Sequence, residues 1–113
     1  MSDCGVSGTA QGLTSSGTFI QSGLTVGGLL TKVTLNAVTW TALPPNPLAN
    51  RNALSIQNTS AIQIVLDYVD TNPIYEGVIV NSGAERFYTI TDKIIIYAKA
   101  QSGTPTIMIE ELA

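Results

Sequence analysis

Three carboxylates lie close together in this sequence, Asp67, Asp70 and Glu76, flanking the segment Thr71-Asn72-Pro73. Paired carboxylates can share acid and base work in glycoside hydrolysis, or ligate calcium through hard oxygens. Each chemistry needs more than the pair. A glycosidase cleft needs aromatic faces for sugar rings, and the whole chain has one tryptophan, four tyrosines and two phenylalanines. A calcium loop sets oxygen ligands at alternate positions over a long run, and here only Asp70 and Asn72 alternate. The segment therefore reads first as a solvated loop. Cys4 is the single cysteine, and a thiol nucleophile needs a base beside it, yet the chain has no histidine. The same counts exclude a disulfide framework, a Cys/His zinc site and imidazole catalysis. No catalytic residue, metal ligand or cofactor site is expected, and the chain is not expected to be an enzyme.

Other motifs give way to simpler readings. Trp40 sits in an alternating stretch ahead of Pro44-Pro45 and reads as a ligand platform or, preferably, as the largest core residue, because an indole buries so much area. Glu85-Arg86 and Asp92-Lys93 put opposite charges side by side, but strand neighbours point to opposite faces, so they read as rim charges. Gly27-Gly28 has no following Lys-Ser/Thr and is not a phosphate loop. Asn58-Thr59-Ser60 fits a glycosylation acceptor, and more simply a turn.

Charge narrows the partners. The net charge is −3, from five cations against eight anions, and the cations Lys32, Arg51, Arg86, Lys93 and Lys99 are scattered. Phosphate neutralisation needs clustered Lys and Arg, so direct nucleic acid binding is not expected. The first residues lack a basic stretch followed by an apolar run, which reads as a protein made and kept in a cytoplasm. Residues 4–31 carry no charge but are too rich in Gly, Ser, Thr and Gln to cross a bilayer, so no membrane role is expected.

The elements that must position any site follow from the unevenness of the chain. Seven of ten glycines fall in the first 28 positions, and residues 1–50 hold two of the thirteen charges. Residues 1–31 therefore read as a Gly/Ser/Thr-rich extended arm that orders against something else, with an N-terminal strand of the sheet as the alternative. From Lys32 onward, apolar and polar residues alternate in short runs broken by turn chemistry, as at Leu43-Pro44-Pro45-Asn46-Pro47, Asn81-Ser82-Gly83 and Gln101-Ser102-Gly103-Thr104-Pro105. About eight strands, roughly ten residues apart, predict an all-β antiparallel sandwich of jelly-roll-like type over residues 32–113.

The surface composition points outward from this domain. Fourteen threonines, nine serines, seven asparagines and five glutamines must cover the exposed faces, with only 12% of residues charged. Weakly charged strand edges invite pairing with another chain. The run Ile94-Ile95-Ile96-Tyr97 is apolar on both faces and reads as a strand covered on both sides. A homo-oligomer, or a protein lying against a larger assembly, is expected. Phe19, Ile20, Leu24, Leu29, Leu30, Trp40, Pro44 and Pro45 are the candidate interface residues.

The cadence of the second half adds a resemblance. Arg51-Asn52-Ala53-Leu54-Ser55-Ile56-Gln57-Asn58, the strand at Gly77, Gly83-Ala84-Glu85-Arg86-Phe87-Tyr88, Ile94-Ile95-Ile96-Tyr97-Ala98-Lys99-Ala100, Ser102-Gly103 and the closing Ile107-Met108-Ile109-Glu110-Glu111-Leu112-Ala113 carry it. Over residues 39–113 the chain resembles the small β-sandwich structural proteins of tailed-bacteriophage virions, including capsid decoration (cement) proteins and head or tail accessory proteins. The resemblance implies a homotrimer on the outer shell between major capsid protein subunits, stabilising the head, with the arm reaching over a neighbour. It implies location on the virion after assembly in the host cytoplasm. The alternative is a tail, baseplate or head-fibre module that binds a host glycan or another virion protein through Tyr68, Tyr75 or Trp40, with a calcium ion near Asp70.

Overall fold

Alternation of apolar and polar residues produces eight strands and no helix among the described residues, 27–113 of this computed structural model. They are β1 (Gly28–Thr34), β2 (Thr41–Ala42), β3 (Ala53–Gln57), β4 (Ile64–Asp67), β5 (Val78–Val80), β6 (Glu85–Tyr88), β7 (Tyr97–Ala100) and β8 (Thr106–Leu112). One antiparallel sheet has the order β1-β8-β3-β6, and the second β2-β7-β4-β5. Only β4 and β5 are chain neighbours within a sheet; every other connection passes from one sheet to the other. This is the strand order of a jelly roll. The expected all-β sandwich of about eight strands forms.

The core is the inward set of the alternation. Val33, Leu54, Ile56, Ile107 and Ile109 come from the first sheet, and Ile64, Leu66, Val80, Ala98 and Ala100 from the second. In register, Ile56 stands opposite Ile109, and Ile64 stands between Val80 and Ala100. Each fully buried Leu or Ile contributes about 1.5–3 kcal/mol of transfer free energy, so these rows are what the sheets close upon.

A buried ion pair ties together one end of the sandwich. Arg51 and Glu111 are both 0% exposed, and Arg51 Nη1 donates to Glu111 Oε2 at 2.9 Å. Leu48 N also donates to Oε2, at 2.8 Å. The rest of the guanidinium is used on backbone: Nε donates to Thr91 O at 3.1 Å and Nη2 to Ile94 O at 2.6 Å. The connections β2–β3 and β6–β7 are thus both fastened to β8.

Three expectations change. Residues 28–31, assigned to the arm, are the first half of β1: Leu29 pairs with Glu111 and Leu30 with Glu110, and Gly27 and Ala113 exchange two backbone hydrogen bonds at 2.9 and 2.8 Å. Leu29, Thr31 and Val33 continue one alternation in register with β8, and lack of charge does not oppose a strand. The run at Ile94-Ile95-Ile96 is not strand, since β7 begins at Tyr97 and Ile94 is 47% exposed. The Arg51 guanidinium takes the carbonyls of Thr91 and Ile94 that a ladder would have used. Val38 and Trp40 lie outside β2, because Asn36 Oδ1 accepts from Val38 N at 2.8 Å and from Thr39 N at 2.7 Å, which captures these amides in a turn. Cys4 and the arm residues Phe19, Ile20 and Leu24 lie outside the described residues.

Candidate functional site

The site is built on the outer face of the β2-β7-β4-β5 sheet. Leu66 and Ala98 pair across β4 and β7 and point into the core, so the adjacent pair Val65 and Lys99 points away from it. Outward residues of a sandwich normally meet water. Here Val65 is 0% exposed and Lys99 4%. The cover is the connection between β4 and β5, residues 68–77, which folds back across its own sheet.

Named bonds hold that cover down. Trp40 Nε1 donates to Asn72 O at 2.7 Å, and Tyr75 Oη donates to Gln63 Oε1 at 3.0 Å. Gln63 Nε2 in turn donates to Asn81 Oδ1 at 2.8 Å. Inside the loop, Asn72 Oδ1 accepts from Ile74 N at 3.2 Å while its Nδ2 donates to Glu76 O at 3.3 Å. Burial of Tyr75 pushes its hydroxyl pKa above the ordinary value of 10.0. Gly77 closes the loop at φ +157°, where a Cβ would collide with the Leu66 carbonyl oxygen.

Between this loop and the turn before β2 lies an open cleft of about 410 Å³, lined by Val38, Thr39, Trp40, Asp70, Thr71, Asn72, Pro73 and Lys99. The Lys99 ammonium lies 4.9 Å from the centre of the Trp40 ring, within cation–π range. Among the described residues it has no ion pair and no hydrogen bond. The cleft therefore contains a positive charge held against a half-buried indole, the exposed Thr71 and the exposed carboxylate of Asp70, with the Thr39 hydroxyl bonded to the Asn36 side chain at its rim.

The candidate residues divide accordingly. Trp40 is not in the core cluster; it sits half-buried on the outer side, over the Lys99 ammonium. The preference for a core tryptophan fails because the turn at Asn36 sets it at the margin of the sheet. Pro44 is buried and Pro45 exposed after the cis Leu43-Pro44 peptide, away from the cleft lining. Leu29 and Leu30 lie on opposite faces of the edge strand β1, 44% and 64% exposed. Tyr68 is 59% exposed and does not line the cleft, and Tyr75 is committed to Gln63.

Of the three carboxylates, Asp70 lines the cleft and Asp67 Oδ1 accepts from Tyr68 N at 2.6 Å. Asn72, the alternate oxygen donor for a cation, spends its side chain inside its own loop. Among the described residues no group of three or more His, Cys, Asp or Glu side chains converges on a metal-sized site. Asn58 is 0% exposed with Nδ2 donating to Ile62 O and Val80 O, so the turn reading of Asn58-Thr59-Ser60 holds over that of a glycan acceptor. Lys99 and Asn72 were not legible as members of one site; the visible signal was a lysine among small apolar residues at an outward position of its strand.

The other sheet presents a second, flatter face. Across β1-β8-β3-β6 one outward row reads Leu30, Glu110, Ser55, Phe87, with Leu30 64% and Phe87 57% exposed at its two ends. The next row reads Lys32, Met108, Gln57, Glu85. Ser55 Oγ donates to Glu85 Oε2 at 3.2 Å. No protein-family model, curated protein or solved structure matches this chain.

Proposed function

We propose that this protein is a virion structural protein of a tailed bacteriophage, a capsid decoration protein that binds the outer shell between major capsid protein subunits as a homotrimer and stabilises the head. One observation carries the reading: the outer face of β1-β8-β3-β6 keeps large apolar side chains, Leu30 and Phe87, in solvent at both ends of one row. Four strands spaced by about 4.8 Å put these anchors about 14 Å apart. Between them lie Glu110 and Ser55, and beside them Met108 and Gln57, so the face offers polar groups for register and apolar ends for area. Single exposed apolar residues are ordinary on a protein surface, so what supports the reading is their placement at both ends of one flat four-stranded row. Adhesion of this kind is area-driven, and a trimer on a lattice multiplies modest single contacts. The jelly-roll order is compatible with this role, but fold alone does not assign one.

The test is co-sedimentation of the purified protein with capsids lacking it, together with light scattering for its mass. Binding by the wild type, and its loss in Leu30→Ser/Phe87→Ser, is the expected outcome. A second reading, a tail, baseplate or head-fibre recognition module, is favoured by the cleft at Trp40. Copy number separates the two: a decoration protein is present in hundreds per particle, a tail or fibre module in a few to a few dozen.

A further inference from the structure

We infer that the cleft between Trp40, Lys99 and residues 70–73 binds an acidic saccharide, a sugar ring bearing a carboxylate. The ammonium is the first reason. Lys99 is 4% exposed as a whole residue, so its stem is packed and its ammonium is held at the Trp40 ring where it opens onto the cleft, with no carboxylate beside it among the described residues. An entering carboxylate therefore meets a pre-positioned cationic donor with no anion to displace and little side-chain ordering left to lose.

The rest of the lining chooses the carrier of that carboxylate. Asp70 is an exposed acceptor and Thr71 an exposed hydroxyl that donates or accepts, while the Thr39 hydroxyl is held by the Asn36 side chain. An all-anionic ligand such as an acidic peptide would meet repulsion from Asp70, whereas sugar hydroxyls donate to it. Val38, 81% exposed on the same rim, and the half-buried indole supply apolar faces for the C–H side of a ring. A volume of about 410 Å³ falls within the range of small-ligand sites. The walls are also fixed in advance by the Trp40–Asn72 and Tyr75–Gln63 bonds, so little ordering is required on binding. The inference concerns the isolated chain and stands apart from where on a virion the protein sits.

Trp40 is the only tryptophan, so its fluorescence reports the cleft directly. The full chain is titrated with a maltotetraose bearing one uronate ring, with maltotetraose itself as the neutral sugar and tetraglutamate as the acidic peptide. The expected result is a saturable change with the uronate, and binding weaker by about tenfold or more for both controls, the scale of one charge-assisted hydrogen bond. Lys99→Met loses the uronate response by a similar factor. Asp70→Asn, at an exposed position that leaves the fold intact, weakens it as well. No saturable change up to about 10 mM overturns the inference. Equal affinity for maltotetraose or tetraglutamate overturns it too, as does an unchanged uronate affinity in both variants. Capsid co-sedimentation is read separately, so a failure here is distinct from a failure of the decoration role.

Discussion

Arg51 and Glu111 form an ion pair at 2.9 Å with both side chains sealed from solvent, and the pair joins two long connections to the penultimate residue of β8. Glu111 Oε2 takes both donors, from Arg51 and Leu48, while Oε1 has no hydrogen-bond partner among the described residues. Such a pair is costly to desolvate and far costlier to halve. Arg51→Met should destabilise the protein by about 3–5 kcal/mol in urea denaturation, because Glu111 is left charged and alone. Adding Glu111→Met should recover part of that loss. A single variant as stable as wild type would show that the pair is not what fastens this end.

That relationship also marks where the sequence stops being readable. Alternation is local, so the eight strands and the inward rows, Leu54 and Ile56 or Ile107 and Ile109, follow from neighbouring residues, and Thr106–Leu112 emerges with its bounds intact. Arg51 and Glu111 are 60 positions apart, and nothing within either neighbourhood announces their pairing. The same is true of the hydrogen bonds that override alternation. Ile94-Ile95-Ile96 has the composition of a strand, yet a guanidinium 43 residues away takes the Ile94 carbonyl. Of the cleft, Trp40 and Asp70 were visible as residue types, but the loop that folds over Lys99 is a tertiary fact.

Gly77 tests that loop. Its φ of +157° is combined with a backbone approach so close that a Cβ would overlap the Leu66 carbonyl. Gly77→Ala should cost about 1–3 kcal/mol and shift residues 68–76 away from β4. Trp40 fluorescence and faster exchange of its indole N–H, now bonded to Asn72 O, check the displacement. An unshifted emission with unchanged stability contradicts the close packing described.

Tyr75 gives a pH dependence. Burial raises its pKa above 10.0 in the folded protein, so the folded state holds the proton more tightly than the unfolded chain. The contribution is fully present below the unfolded pKa and is lost as pH rises through the folded one. Stability should therefore fall on the alkaline side of pH 10, and Tyr75→Phe should make that fall shallower. Denaturation midpoints from pH 8 to 11 check the difference between the two proteins.

Leu30 and Phe87 test the outer face of the first sheet. Both are more than half exposed, so Leu30→Ser and Phe87→Ser should change stability by no more than about 0.5 kcal/mol. Capsid binding should nonetheless weaken, read as less protein in the co-sedimented pellet at equal concentration and unchanged mass in light scattering. Variants that unfold, or that bind capsids as the wild type does, would remove these residues from the interface.

Adhesion to the capsid shell is tested by co-sedimentation of wild-type protein with capsids lacking it, titrated to saturation. Saturable binding by a trimer is expected, at a stoichiometry comparable to that of the major capsid protein. A protein that stays in the supernatant at every concentration, or that sediments with tails instead of heads, contradicts it.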